Sequence, residues 1–194
     1  MRIGIFGGTF DPPHLGHLVV ASDACQALGL DLLLWVPSAV PPHKVGRVKT
    51  EAALRLQMVR AAIEGDPRFA AEDLELLRPG PSFTVDTLRQ LAERHPGAEL
   101  VLLIGADNLP ELPGWREPEE ILRLARLAVV GRGGEGVPPR GALPASYVAA
   151  TRVDVSATEV RRRAAAGETI RYLVPDTVRA LVERHGLYRE LPRF

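Results

Sequence analysis

Apolar residues along this chain gather in short unbroken runs instead of alternating with polar ones. "RIGIF" (2–6), "DLLLWV" (31–36), "ELVLLIG" (99–105), "RLAVVG" (126–131) and "SYVAA" (146–150) all have strand length. Their continuity predicts strands covered on both faces. "RFAAEDLELL" (68–77) is a weaker strand candidate. Residues 15–28, 50–64, 83–95, 117–124 and 157–166 carry helical spacing, and in the first of these Leu18, Ala21, Cys25 and Leu28 form an apolar stripe. Strand and helix alternate, which predicts an α/β fold with a doubly wound parallel sheet and helices on both faces. Right-handed crossovers then direct ligands to the carboxyl ends of the strands, near the switch in strand order.

The C-terminal stretch "YLVPDTVRALVERHGLY" (172–188) is helical and adds no strand. Pro175 and Asp176 open it, and Val178, Leu181, Val182 and Leu187 give it an apolar face, predicting a small helical lobe packed on the sheet. Residues 1–194 thus read as one domain, with a core over about 1–155 and a helical part over about 156–194. Proline and glycine density makes loops of residues 37–50 and 131–144.

Charge and composition narrow the choice of partner. Twenty-four basic residues balance twenty-four acidic ones, so no overall field points to nucleic acid. No run reaches the roughly 18 apolar residues of a membrane span. Arg2 followed within ten residues by Gly7, Gly8 and Asp11 is no signal peptide. A single cysteine, Cys25, excludes an internal disulfide and suits a reducing compartment and a place in the core. The expectation is a cytoplasmic domain whose partners are small molecules; a homo-oligomer is compatible with the chain. Lysine occurs only at positions 44 and 49 in an otherwise arginine-based chain, which draws attention to Lys44 in its proline-rich loop.

The chemistry concentrates at the first strand-to-helix junction, "GGTFDPPHLGH" (7–17). A helix start behind a glycine turn exposes N–H groups and the positive dipole end, a combination that binds anions. Gly7 and Gly8 let a phosphate approach the backbone, and close approach by a ligand also accounts for Gly16 in the first turn. Asp11 is placed to cap, with Pro12 or Pro13 in the first turn. His14 and His17, three residues apart, project from one side and can donate to phosphate oxygens. A shared metal is the other option for such a pair, but no third ligand lies nearby in sequence. Each histidine alone would pass for a polar surface group.

Further along, Ser156 or Thr158 reads as the N-cap of a helix carrying Arg161, and Ser156 with Glu159 three residues on reads as a capping box; a capped helix start with an arginine one turn in is a second anion site. Arg162 and Arg163 read as a solvated face. "IGADNLPELPGW" (104–115) follows a strand at its carboxyl end, where Gly105 permits close approach and Asp107 can accept from ribose hydroxyls; a plain turn explains the same residues.

The opening motif, histidine-x-glycine-histidine at this junction, resembles the signature of the nucleotidylyltransferase superfamily. Its particular form resembles the bacterial nicotinate-mononucleotide adenylyltransferase family. "PPHK" (41–44), "PSFTVDTL" (81–88), "IGADNLPELPGWRE" (104–117), "GR" (131–132), "VSATEVRRR" (155–163) and the ending at Tyr188 match that family's later blocks in order. The resemblance implies a Rossmann-like fold and transfer of AMP from ATP to nicotinate mononucleotide, with release of pyrophosphate. It implies catalytic roles for His14, His17 and Arg161, His17 bearing on the reacting α-phosphate. ATP would further meet Gly7, Gly8, Thr9, Phe10, Gly105, Asp107, Ser156 and Thr158. The mononucleotide would meet Lys44, Thr84, Trp115, Arg116 and Arg132, with the Trp115 indole stacked on the pyridine ring and Thr84 near its carboxylate. His43 is a further helper to Lys44. Two departures stand out: Ala157 replaces one of two usual serines, and Phe83 stands where tyrosine is common.

Such a reaction needs no general base, because a phosphate monoester has a second pKa of about 6 and is already anionic. The barrier is repulsion between anions, so cations, N–H donors and positioning carry the catalysis. Mg²⁺ is expected to ride on the ATP phosphates with its waters, with Asp11 and Asp107 at most assisting and no protein-built metal cage. Rival readings are a related adenylyltransferase acting on nicotinamide mononucleotide or phosphopantetheine, a cytidylyltransferase, or a nucleotide-binding module without catalysis. The lack of G-x-x-x-x-G-K-[ST] argues against a P-loop kinase.

Overall fold

The structure is a computed structural model and describes residues 1–39, 50–132 and 145–189. Its strands are β1 (Arg2–Gly8), β2 (Leu32–Pro37), β3 (Phe69–Ala71), β4 (Glu99–Gly105), β5 (Arg126–Arg132) and β6 (Ala145–Ala150). Its helices are α1 (Leu15–Leu28), α2 (Ala52–Ile63), α3 (Thr84–Arg94), α4 (Pro118–Leu124), α5 (Ala157–Ala165) and α6 (Asp176–Arg184), with a 3-10 turn over Leu109–Gly114. All neighbouring strands pair in parallel, in the order β3-β2-β1-β4-β5-β6. The order reverses between β1 and β4, so the crevice beyond their carboxyl ends, Gly8 and Gly105, is the predicted ligand position.

Both faces of the sheet are apolar because the strands alternate between two cores. Ile3, Ile5, Leu100, Leu102, Ile104, Leu127 and Val129 turn to one side, where Val85, Leu88 and Leu91 of α3 and Ile121 of α4 meet them. Leu33, Trp35, Val101, Leu103, Ala128 and Val130 turn to the other, against Ala21, Ala24 and Cys25 of α1 and Val59 and Ile63 of α2. This two-sided cover is why the strands read as continuous apolar runs. Burial raises the Cys25 thiol to about 11, which makes it a core residue and a poor nucleophile.

The weak candidate at 68–77 yields only three strand residues. Beyond Ala71 the chain turns through Asp73, whose carbonyl accepts the Leu76 N–H at 2.8 Å, so the acidic half of that segment cannot continue the edge. The predicted C-terminal lobe exists but lies elsewhere: Val160, Ile170, Val174, Val178, Leu181 and Val182 close over Met58 of α2, forming a third core beside the sheet instead of on it. The helix within 172–188 is confined to α6; its N-cap is Pro175 and Asp176 is its first residue. Among the described residues no helix is long and apolar enough to cross a membrane.

Candidate active site

Between β1 and α1 the chain makes one sharp descent. Phe10 has φ 49°, a region that side chains other than glycine enter at a cost of order 1 kcal/mol or more. Its ring compensates by burial, packing edge-on to Phe6 and His17 and against Trp35, with 2 % of the residue exposed. Gly8 is required by that ring, since a Cβ there would sit 2.8 Å from it. Gly7, by contrast, faces open space. Of the two glycines, only Gly7 fits the expectation of free access for a ligand.

The helix begins at Leu15, as its spacing predicted, but the cap and first-turn places given to Asp11, Pro12 and Pro13 do not hold. Asp11, Pro12 and Pro13 precede it as buried loop residues, and His14, in extended conformation, is the N-cap. The His14 N–H donates to His17 Nδ1 at 3.1 Å, and the two rings stack with centroids 3.7 Å apart. A Nδ1 that accepts cannot hold the ring proton of a neutral imidazole, so His17 carries it on Nε2, the nitrogen farther from the backbone. Gly16 has a cause the sequence did not suggest: a Cβ there would lie 3.1 Å from His14 Nδ1. The glycine makes room for the histidine, whose ring is 5 % exposed as a residue.

The second anion site predicted at α5 lies beside the first. Ser156 caps α5, accepting the Glu159 N–H at 3.2 Å, and the Val155 carbonyl lies near Gly16. The reciprocal half of a capping box is replaced by ion pairs from Glu159 to Arg162 and Arg163, which hold its carboxyl down at about 2. Arg162 is exposed on its helix and Arg163 less so, both committed to Glu159. Arg161 turns the other way. Its Nη1 donates to the Asp11 carbonyl at 2.7 Å and its Nη2 to the Thr158 hydroxyl at 3.2 Å. Arg161, Thr158, His14 and His17 therefore converge on one loop.

Of the residues predicted for the mononucleotide, Thr84, Trp115 and Arg116 gather on the α3 side. Phe83 is the N-cap of α3, and Thr84 opens its first turn. The Arg116 guanidinium lies 4.9 Å from the Phe83 ring centroid and 3.4 Å from Asp86. Trp115 ends the 3-10 turn, partly buried against the α3 core, and its Nε1–H is buried with no acceptor among the described residues. Gly105 again makes room, this time for the Asp107 carboxylate that folds over it, while Asp107 itself is exposed. Lys44 and His43 lie outside the described residues, and of Arg132 only the backbone, at the end of β5, is described.

Sequence reasoning missed two residues of this site. Arg55 of α2 is 1 % exposed and, among the described residues, donates to backbone: to Thr9 O at 2.7 Å, Thr50 O at 3.0 Å and Ala39 O at 3.2 Å. Burial pushes its guanidinium below the ordinary arginine value, and the nearby Asp11 carboxylate opposes that push. Tyr188, beyond α6, donates its hydroxyl to Asp11 Oδ1 at 2.7 Å and accepts from Thr50 at 3.2 Å. Burial, with Asp11 adding to it, raises the Tyr188 phenol well above its ordinary value, so it serves as a hydroxyl donor. Arg55 was visible in principle, since it stands in phase with Val59 and Ile63 on an apolar face. Nothing local marks Tyr188.

Residues 5–163 match the cytidylyltransferase-like family. A relative from Thermus thermophilus, named "Probable nicotinate-nucleotide adenylyltransferase", is 46% identical over 97% of this chain and 100% of its own length. One of the same name from Thermomicrobium roseum is 45% identical over 97% of this chain and 92% of its own. The fold is shared with the nicotinic acid mononucleotide adenylyltransferase of Plasmodium falciparum complexed with NaAD, at TM-score 0.76 and 20% identity, covering 96% of this chain and 97% of that one. With matches of this extent, the chain belongs to the cytidylyltransferase-like family and, within it, to the nicotinate-nucleotide adenylyltransferases.

Proposed function

We propose that this protein transfers the adenylyl group of ATP to nicotinate mononucleotide. A phosphate oxygen of the mononucleotide attacks the α-phosphorus, the bond from that phosphorus to the bridging oxygen of the β-phosphate breaks, and pyrophosphate leaves. Nicotinate adenine dinucleotide is the product, and no covalent enzyme intermediate is required. The observation that carries this reading is the pairing of His14 and His17 at the start of α1, at the switch point of the sheet, with the capped start of α5 alongside.

Within that site the His17 Nε2–H is the donor best suited to the charge building on the α-phosphate and leaving oxygen. His14 and the α5 start, with Thr158 and Arg161, take the outer phosphates, and Gly7 and Thr9 to Phe10 border the nucleotide. Gly105 and Asp107 suit its ribose. Trp115, Thr84 and Arg116 suit the pyridine end, where the buried Trp115 N–H waits for an acceptor that a carboxylate-bearing ligand can supply. Lys44 and Arg132 belong to the same proposed mononucleotide set.

Mg²⁺ fits as a companion of the ATP phosphates, screening their charge as pyrophosphate departs. The Asp11 carboxylate accepts from Tyr188, and the contribution proposed for this chain beside the metal is the N–H and cationic donors of His14, His17 and Arg161. A reaction between free nucleotides also fits a cytoplasmic enzyme.

The test is pyrophosphate release with ATP plus either pyridine mononucleotide. The expected outcome is turnover with the acid and a kcat/KM for the amide lower by about tenfold or more. Equal kcat/KM for both would remove the preference for the acid, and no pyrophosphate with either would leave a nucleotide-binding module.

A further inference from the structure

The loop that carries both histidines is held from outside the sheet. The first amide of α1, Leu15 N–H, donates to the Leu173 carbonyl at 2.9 Å. The Asp11 carbonyl accepts from Arg161 of α5, and the Asp11 carboxylate accepts from Tyr188. Three points on the C-terminal segment thus grip residues 11–15. From the opposite side, Arg55 holds Thr9 O and, through Thr50 O, the residue whose hydroxyl donates to Tyr188. The result is a relay from Thr50 to Tyr188 to Asp11, spanning 138 and then 177 residues of sequence.

We infer that Tyr188 is a positioning residue for the nucleotide loop, acting through the Asp11 carboxylate to set the N-cap His14 and, through it, His17. The physical basis is burial. Asp11 is 2 % exposed, so its carboxylate cannot replace the Tyr188 donor with bulk water and instead resettles among its remaining partners, drawing the chain with it. Two residues, Pro12 and Pro13, separate it from the His14 N–H that fixes His17 Nδ1. Phe10, at φ 49°, lies immediately before it and has little freedom to absorb a shift elsewhere. Displacement of Asp11 is therefore passed toward the histidines, and an error of an ångström at a reacting group is costly in rate. Among the described residues the proposed pyridine end, built on α3 and residues 105–116, shares none of these bonds to residues 9–15; its link to the Arg55 cluster runs through Ala39, whose N–H donates to Ser82 Oγ at 3.0 Å.

This inference rests on the adenylyl-transfer reading of the same site, and the experiment separates the two. Tyr188→Phe removes one oxygen and keeps the ring. ATP and nicotinate mononucleotide are titrated separately by calorimetry into wild type and variant, followed by steady-state pyrophosphate release, at a temperature where circular dichroism shows both folded. The expected result is an ATP affinity weakened about fivefold or more and kcat lowered about tenfold, with mononucleotide affinity within about twofold. A merely structural tyrosine would lower the melting temperature and leave both affinities and kcat in place, and that outcome overturns the inference. Equal weakening of both nucleotides overturns it too. A wild type that binds no ATP overturns the site reading itself and this inference with it. Should Tyr188→Phe not fold, Thr50→Val carries the same test, with the same selective loss for ATP in smaller degree; an unchanged ATP affinity in that variant sinks the relay.

Discussion

Around residues 9–17 several polar groups answer one another: His14 N–H finds His17, Asp11 finds Tyr188 and Arg161, and Thr9 finds Arg55. Between α3 and residues 105–116 the pattern differs. There Trp115 buries an N–H with no acceptor among the described residues, Arg116 is exposed and leans on Asp86, and Asp107 is exposed. The contrast teaches where the chemistry belongs. Preorganised donors stabilise a transition state because they need not reorient as charge develops. An unanswered buried donor suits recognition, since its desolvation cost is relieved only when the right ligand arrives.

The largest effect should come from breaking the ordered end. His17→Ala is expected to lower kcat at least about a hundredfold, with smaller changes in either KM, because a donor to developing charge is lost. His17→Asn sharpens the point. Its amide oxygen can still accept from the His14 N–H, as Nδ1 does, but nothing replaces Nε2–H. Steady-state kinetics should find it as impaired as the alanine variant. Activity near wild type in the asparagine variant would mean that the bond to His14, and not the outer nitrogen, is what matters.

At the other end Trp115→Ala is expected to raise the KM for the mononucleotide about tenfold while leaving that for ATP unchanged, in line with the loss of a stacked ring. Trp115→Phe keeps a ring and deletes the buried N–H, so its KM measures what the unanswered donor contributes. If both nucleotides bind more weakly in the alanine variant, the indole is a piece of the α3 core and the contrast between the two ends fails.

Much of this was legible from residue order. Continuous apolar runs foretold a sheet covered on both faces, and the strand-to-helix junction at residues 7–17 foretold the histidine pair. The limits of legibility follow from distance along the chain. His14 and His17 are neighbours on one turn, so spacing alone brings them together. Asp11, Thr50 and Tyr188 are brought together only by the packing of α6 on α2, and no local pattern encodes a contact 177 residues long. Gly8 and Gly16 show a subtler limit. Both were read as room for a ligand, and both prove to be room for the protein's own rings, because absence of a Cβ does not say what fills the space.

A final measurement concerns charge beneath the pyridine end. Asp11, the buried carboxylate of the proposed ATP end, has Arg55 close by and a tyrosine donating to it, whereas Glu75, 8 % exposed below α3, accepts from Thr87 at 2.6 Å with Arg78 donating to Thr87. Burial raises the Glu75 carboxyl above its ordinary 4.5, outweighing the lowering by Thr87, Ser82 and Arg78. Between 4.5 and that higher value the folded protein holds a proton that the unfolded chain has released, so stability falls as pH rises through this window and stays lowered above it. Glu75→Gln keeps an oxygen for the Thr87 hydroxyl and removes the charge. Thermal melting at pH 7 should show a gain of about 1 kcal/mol, or about 3 °C, which shrinks towards zero below pH 4.5. Nucleotide KM values should stay within about twofold, since Glu75 stands behind the recognition surface and not on it. A variant less stable at pH 7 would mean that the carboxylate is answered by Arg78 after all, and the asymmetry between the two ends would then be confined to Trp115.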